Sequence, residues 1–231
     1  MCSNYQPARI DSLAKYFGIE QVDFAYQAET YPGHMAPILR QHDGALECAP
    51  ACFGMVPHWA DLKLARQTYN ARSETVAEKP SFRNAWRKQH FCLIPLESFF
   101  EPNYESGRAV RWKISAQDGA PLAVAGIWEW RPAKLDGQAG LVSFSMLTIN
   151  ADQHPLMQRF HKPDDEKRML VIVPAAHYQD WLNASISQAQ ALLQAYPANQ
   201  LKAEVAPRLL ATKPGVRQTQ QMDLDGSESA C

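Results

Sequence analysis

The second residue of the chain, Cys2, combines two nucleophiles once Met1 is removed. Because residue 2 is small, we expect an aminopeptidase to remove Met1 and leave Cys2 at the N-terminus. A terminal amine has a pKa of about 7.7–8.0 and a thiol one of about 8.5, so part of each is nucleophilic near neutral pH. Such a 1,2-aminothiol forms a Schiff base with an aldehyde, and its thiol then closes a five-membered thiazolidine. A small residue directly after Met1 more often has no chemical function, so the position of Cys2 alone favours that simpler interpretation.

The segment from Tyr69 to Thr75 brings an amide, a guanidinium, a carboxylate and hydroxyls together. Arg72 can bind a phosphate through two parallel N–H groups, and Asn70 can orient a neighbouring amine or hydroxyl. A polar turn followed by a helix cap explains the same residues equally well.

Two residues farther along the chain are candidates for proton transfer. Glu101 follows two aromatic residues at the end of a predicted strand, and packing against aromatic faces raises a carboxyl pKa. By pattern alone, a surface Glu before Pro102 is the better explanation. His161 lies in a loop before a predicted strand, and a histidine side chain can act as an acid or base near pH 7. It is one of seven His in the chain, and His154 is its nearest rival.

No pattern in the sequence predicts a metal or a cofactor. Cys48 and Cys52 have the spacing of half a zinc site, but no second pair has a matching spacing. The glycine patterns of nucleotide-binding loops are absent. The five Cys are odd in number and scattered, which argues against a disulfide framework and favours a reducing cytoplasm.

The composition predicts one globular domain that does not bind nucleic acid by bulk charge. The chain has 231 residues, 46% of them apolar, and its 23 basic and 24 acidic residues leave a net charge of −1. A local basic groove remains compatible with this balance. The N-terminus has no signal-peptide pattern and no apolar run is long enough to span a membrane, so we expect no membrane contact.

The elements that must position these residues are mostly strands, which predicts an α+β fold built on a mostly antiparallel sheet. A helix is predicted over 7–17, where apolar residues recur at helical spacing and Gly18 can end it. Residues 22–51 are dense in Pro, Gly and His, which predicts loops with short strands. From about residue 212 the chain is polar, which predicts a disordered tail. Strands are predicted over 91–96, 109–114, 122–130, 141–149, 168–173 and 201–205, and helices over 175–182 and 187–196.

Taken in order, the motifs resemble one family. They are Met1-Cys2 at the start, 54–59 (Gly-Met-Val-Pro-His-Trp), 70–75 (Asn-Ala-Arg-Ser-Glu-Thr), 99–101 (Phe-Phe-Glu), Thr148 before 150–152 (Asn-Ala-Asp), and His161 before 167–169 (Lys-Arg-Met). Each motif is weak, but the ordered set is similar to the SRAP family, the SOS-response-associated peptidases or abasic-site-processing proteins, over nearly the whole chain.

The resemblance implies a single β-rich domain over 1–210, with a barrel-like sheet, flanking helices and a positively charged cleft for single-stranded DNA. Residues 211–231 would form the tail. It also implies an enzyme of the lyase or peptidase type whose N-terminal Cys forms a thiazolidine cross-link with the ring-opened aldehyde of an abasic site. The cross-link would protect the site during the DNA damage response. A monomer in the cytoplasm, associated with the nucleoid when bound to DNA, is the implied state.

The same resemblance implies residue roles. Cys2 would be the nucleophile, Asn70 would position its amine and the opened sugar, and Glu101 and His161 would move protons. On the DNA side, Arg72 and Thr148 would hold phosphates, and Trp59 would stack on a base with Pro57 beside it in the cleft.

The chain departs from the family pattern at several places. Ser3-Asn4 replaces the usual Gly-Arg after the Cys, Ala60 replaces a second Trp, and Pro102 replaces a Trp after the Glu. These changes are expected to affect the grip on DNA more than the chemistry.

Two alternatives stay open at this point. In a thiol peptidase, Cys2 would be the nucleophile and His161 the base. In a non-catalytic DNA-binding module, Cys2 would have no chemical role.

Overall fold

In a computed structural model, which describes residues 2–133 and 139–207, ten strands form one sheet. The strands are β1 (Tyr5–Pro7), β2 (Met35–His42), β3 (Ala45–Phe53), β4 (Asn70–Arg72), β5 (Phe91–Asn103), β6 (Val110–Ala116), β7 (Leu122–Arg131), β8 (Leu141–Asn150), β9 (Arg168–Leu170) and β10 (Leu201–Val205). The helices are α1 (Ile10–Phe17), α2 (Arg83–Arg87), α3 (Tyr178–Leu182) and α4 (Ile186–Ala191), and 3₁₀ turns occur at Leu62–Arg66, Met157–Arg159, Ala175–His177 and Ala198–Gln200.

The sheet closes on itself through β7. The strand order is β10-β6-β5-β2-β3-β8-β4, and β7 pairs with both β5 and β8, so β5, β2, β3, β8 and β7 form a ring. Strands β1 and β9 pair with β5 and β8 respectively. Apart from the β3–β8 and β4–β8 pairs, which are parallel, the pairs are antiparallel. The predicted β-rich α+β fold with a mostly antiparallel sheet is therefore confirmed.

Alternation along the strands divides the buried residues into two main cores. On β5, Cys92, Ile94 and Leu96 point into the core that fills the ring, whereas Phe91 and Leu93 point out toward the helices. Successive side chains of a strand face opposite sides, so one strand supplies both cores. The ring strands therefore carry apolar residues on both faces, and their sequences are nearly continuous apolar runs.

Helix α1 shows how closely its boundaries follow local chemistry. Gly18 adopts φ +70°, and its N–H bonds the carbonyls of Leu13 and Ala14, which ends the helix as predicted. The predicted start at Pro7 was wrong, because Pro7 pairs with Leu96 as the last residue of β1.

Three other predictions need correction. Residues 22–51 contain two long strands, β2 and most of β3, joined at Asp43-Gly44, where φ values of +49° and +80° fit a type I′ hairpin turn. The predicted strand over 91–96 runs on to Asn103, so Glu101 lies inside a strand. The predicted helix over 187–196 ends at Ala191.

Within the described part of the chain, no helix combines the length and apolarity that crossing a membrane requires. The predicted tail over 211–231 lies outside the described residues.

Candidate active site around Cys2

Strand pairing brings Cys2 to Glu101. Strand β1 runs antiparallel to β5, with Tyr5 opposite Phe99, and the Phe100 N–H donates to the Asn4 carbonyl at 3.0 Å. The residues before β1 therefore continue along β5. Cys2 is 1% exposed, and its thiol donates to the Asn4 carbonyl at 3.3 Å.

Asn70 holds the backbone of Cys2. It begins β4, which runs parallel to β8 with Asn70 opposite Met146. The buried Asn70 Nδ2 donates to the Cys2 carbonyl at 2.8 Å, across 68 residues of sequence. The structure therefore brings together two of the predicted catalytic residues.

Glu101 and His161 form a buried pair. Glu101 is 3% exposed, His161 is 7% exposed, and His161 Nδ1 lies 3.6 Å from Glu101 Oε2. The His161 N–H donates to the Pro102 carbonyl at 2.8 Å, which ties the loop to β5 next to Glu101. His161 adopts φ +65°, a conformation that costs free energy for a residue with a Cβ, so its surroundings must enforce it.

The hydrogen bond of the second ring nitrogen assigns the tautomer of His161. Nε2 lies 3.3 Å from the carbonyl oxygen of Arg168. A carbonyl only accepts, so Nε2 carries the hydrogen, and in the neutral ring Nδ1 presents a lone pair toward Glu101.

Burial exchanges the usual order of proton affinities in this pair. It raises the pKa of Glu101 to about 7 and lowers the pKa of His161 to about 4. Between these values the proton resides on the carboxyl and the imidazole is neutral. Burial, reinforced by the Glu101 charge, also raises the pKa of the Cys2 thiol to about 12. The site thus holds a neutral thiol, a neutral acid and a neutral base.

His154 is fully used by the fold. Its Nδ1 accepts from the N–H groups of Leu156 and Met157 at 3.2 and 2.9 Å, and its Nε2 bonds the Tyr196 carbonyl at 2.8 Å. Two donors on one ring nitrogen leave no proton there, so this ring stabilises the turn that precedes His161. The geometry therefore distinguishes the two histidines that sequence alone could not.

The predicted phosphate contacts fall in an ion-pair network. Arg72 Nη1 lies 2.6 Å from Glu166 Oε2 at the surface. Thr148 is buried on β8, and its carbonyl and hydroxyl oxygens accept from Arg168 Nη2 at 2.7 and 3.2 Å. Thr148 therefore positions Arg168, and only Arg72 of the two predicted residues is open to a phosphate.

The segment after β3 presents Trp59. Gly54 adopts φ +111°, and a Cβ there would lie 2.1 Å from the Ala65 carbonyl oxygen, so a larger residue would displace this loop. Pro57 is buried, whereas Trp59 is 55% exposed. Of these two, only Trp59 offers an aromatic face to a ligand.

Two clefts border the acid–base pair. A cleft of about 270 Å³ reaches Glu101 past Ser3 and Arg111, and one of about 360 Å³ reaches His161 past Arg159 and Lys167. The two buried residues thus each line one of these surface clefts.

Several residues of this region were not predicted. Arg111 places its guanidinium 3.3 Å from the Phe100 ring centre and bonds Asn4 Oδ1 at 2.6 Å. The pairing of Arg168 with Glu74 was also missed, because the two residues are 94 positions apart in sequence. In the described ranges, no three His, Cys, Asp or Glu side chains are grouped to hold a metal ion.

Comparisons with known proteins agree with this geometry. The family model described as SOS response associated peptidase (SRAP) matches residues 1–210. The chain is 28% identical over 215 residues to the abasic site processing protein YoqW of Bacillus subtilis strain 168, covering 88% of this chain and 91% of that protein. It is 31% identical over 156 residues to YoaM, also an abasic site processing protein of that strain, covering 65% of this chain but only 64% of YoaM.

Solved structures share the fold. A crystal structure of a Bordetella bronchiseptica protein is 36% identical with a TM-score of 0.82, covering 90% of this chain and all of that one. A Bacteroides thetaiotaomicron protein is 24% identical with a TM-score of 0.77, and the match covers 89% of this chain and 92% of that chain.

Proposed function

Since the chain belongs to the SRAP family, we propose that it recognises abasic sites in single-stranded DNA and captures them covalently through Cys2. The relatives named as abasic site processing proteins support the substrate class. The observation that carries the chemistry is the buried cluster in which Cys2 interacts with Glu101 and Glu101 in turn faces His161 at 3.6 Å.

The first step is Schiff-base formation. After Met1 is removed, the Cys2 amine attacks the aldehyde carbon of the ring-opened abasic sugar and forms a carbinolamine. Glu101, protonated below about pH 7, donates its proton to the leaving hydroxyl, and water departs. The Asn70 hydrogen bond to the Cys2 carbonyl fixes the residue during the attack.

The second step closes the ring. The thiol sulfur adds to the imine carbon, its proton is accepted by the carboxylate that the first step produced, and the imine nitrogen becomes an amine. Because burial keeps the thiol protonated, this carboxylate is needed as a base at that moment. The iminium nitrogen keeps the hydrogen it carried as an amine, so aldehyde plus aminothiol yields thiazolidine plus one water, and Glu101 ends protonated, as it began.

His161 has a supporting role in both steps. Its Nδ1 lone pair faces the carboxyl. In the opening of the sugar hemiacetal a proton leaves one oxygen and reaches another, and the pair relays this proton, which passes through Nδ1 in transit and comes to rest on Glu101.

The DNA would be held mainly by its backbone. Arg72 is placed to contact a phosphate, and the exposed Trp59 to stack on a neighbouring base. An abasic position has no base to unstack, so its entry into the site costs little free energy.

A denaturing-gel assay tests the proposal. Wild type incubated with single-stranded DNA that carries one abasic site should give a covalent adduct. Cys2→Ala should give none, whereas Cys52→Ala, which alters another buried cysteine, should retain it. Reduction of the abasic aldehyde with borohydride beforehand should abolish the adduct. The intact mass should equal the protein without Met1, plus DNA, minus one water.

An unchanged adduct with Cys2→Ala would refute the mechanism. A protein that keeps Met1 and binds DNA without an adduct would support the non-catalytic module. Cys2-dependent cleavage of peptides would support the peptidase, although a thiol whose pKa is raised to about 12 is poorly suited to thiolate catalysis.

A further inference from the structure

Four charged side chains form an alternating line beside β4, in the order Glu74, Arg168, Glu166, Arg72. Arg168 bonds both carboxylate oxygens of Glu74 at 2.7 and 2.8 Å and Glu166 Oε1 at 2.8 Å. The other oxygen of Glu166, Oε2, lies 2.6 Å from Arg72 Nη1. The line therefore carries two positive and two negative charges and is neutral as a whole.

The two arginines of this line differ in freedom. The side chain of Arg168 is 2% exposed and is also held by the two oxygens of Thr148. The side chain of Arg72 is 47% exposed and contacts one oxygen of Glu166. An incoming anion can therefore reach Arg72 but not Arg168.

Glu166 is held by other residues besides Arg72. Its Oε1 accepts from Arg168 Nη1 and from Asn150 Nδ2 at 3.2 Å, and neither contact involves Arg72. A carboxylate oxygen held in this way occupies the position that a phosphate oxygen would take on the Arg72 guanidinium.

We propose that Glu166 is a specificity-determining residue that competes with DNA phosphate for Arg72. This inference rests on the proposed function, in which Arg72 contacts the DNA backbone. A phosphate must displace Glu166 Oε2 and then lie near its negative charge, which weakens binding to any strand. At an abasic site the covalent bond to Cys2 retains the protein even when its non-covalent affinity for DNA is low. On undamaged DNA no such bond forms, so the weaker binding lets the protein dissociate quickly.

Glu166→Gln separates this role from folding. The amide oxygen can keep the contacts with Asn150 and Arg168, while the amide NH₂ faces Arg72 and no longer pairs with it. Glu204→Gln is the matched control, because it changes the net charge equally at β10, the opposite end of the sheet order, where Glu204 pairs with Lys113 at 3.0 Å. Glu166→Asp keeps the charge but shortens the reach toward Arg72. Thermal unfolding verifies that each variant folds.

The measurement is the Kd for fluorescein-labelled, undamaged single-stranded DNA at low salt, by anisotropy. Glu166→Gln should bind roughly two- to fivefold more tightly than Glu204→Gln, the range of an exposed ion pair. Glu166→Asp should show a smaller gain. In an Arg72→Gln background the gain from Glu166→Gln should disappear.

Equal Kd values for Glu166→Gln and Glu204→Gln would overturn the competition, as would a gain that persists without Arg72. Either result leaves the proposed function intact, because the adduct at Cys2 is scored separately. If neither wild type nor Glu166→Gln binds DNA and no adduct forms, the proposed function and this inference fail together.

Discussion

The Cys2 pocket and the charged line beside β4 treat ionisable groups in opposite ways. In the pocket, burial keeps Glu101 protonated up to about pH 7 and His161 neutral down to about pH 4. In the line, hydrogen bonds from Arg168 lower the pKa values of Glu74 and Glu166 and hold both as carboxylates. Where desolvation dominates, a buried acid becomes a proton donor, whereas an acid paired with a guanidinium becomes a structural anion.

Arg168 connects the two regions. Its side chain organises the charged line, and its carbonyl oxygen fixes the tautomer of His161. The two regions are therefore in contact through Arg168, although their ionisable groups behave differently.

The largest expected effect is kinetic. Glu101→Gln should slow single-turnover cross-linking by about 10²–10⁴-fold, because the amide cannot donate or accept the transferred proton. The wild-type rate should be bell-shaped in pH, rising as the Cys2 amine loses its proton and falling as Glu101 ionises above about pH 7. The variant should lose the falling limb.

Glu97→Gln, on the same strand, is the control for Glu101→Gln, since Glu97 pairs with Arg9 at the surface. A Glu101→Gln rate within threefold of this control would show that the pocket does not transfer protons through Glu101.

The next effect concerns stability and contrasts the two arginines. Arg168→Met should lower the free energy of unfolding by about 1–3 kcal/mol, because it leaves the buried Thr148 oxygens without their charged donor. Arg72→Gln should change it by less than about 1 kcal/mol, as for exposed ion pairs. Urea denaturation at pH 7 measures both, and equal costs would contradict the distinction.

A third effect is the pH dependence of stability at Glu101. Its folded-state pKa, about 7, lies above the usual 4.5, so the folded state binds more protons between these values and wild type loses stability as pH rises through them. Glu101→Gln lacks this loss. Its unfolding free energy relative to wild type should increase by up to about 3 kcal/mol from pH 4.5 to 7 and stay level above that. A pH-independent difference in urea titrations would contradict a buried neutral carboxyl.

The smallest effect separates the two histidines. His154→Asn should lower the free energy of unfolding by about 1–2 kcal/mol, since the ring accepts two backbone N–H groups. His161→Asn should be nearly neutral for stability, because Asn tolerates positive φ better than His, yet it should slow cross-linking. Thermal unfolding measures the stability of each variant, and the gel assay measures its cross-linking rate. If His161→Asn lost stability and His154→Asn slowed cross-linking instead, the two roles would have to be exchanged.

Much of the fold was predictable from local patterns. Strands β6, β7, β8 and β10 and helix α1 follow apolar spacing and turn residues closely. The prediction for β5 covered only the apolar run 91–96, although the strand continues to Asn103 through Pro95 and Pro102, since each proline removes only a backbone donor.

The candidate site was predictable as a set of residues but not as an arrangement. Cys2, Asn70, Glu101 and His161 were named from their types and motifs, and the structure places Asn70 on the Cys2 carbonyl and His161 beside Glu101. Thr148 was expected to hold a phosphate and instead lies buried against Arg168. Whether a hydroxyl faces solvent or a neighbouring guanidinium depends on strands that a local pattern does not contain.

The amino-acid sequence by itself determined which reactive groups this protein carries and, through the order of its motifs, the family to which it belongs. The tertiary structure decided which of those groups bear protons and which charges pair. The physical reason is that desolvation and ion pairing depend on neighbours in space: Arg168 and Glu74 are 94 residues apart in sequence, as are Arg72 and Glu166. Only the folded sheet brings such partners within reach of one another.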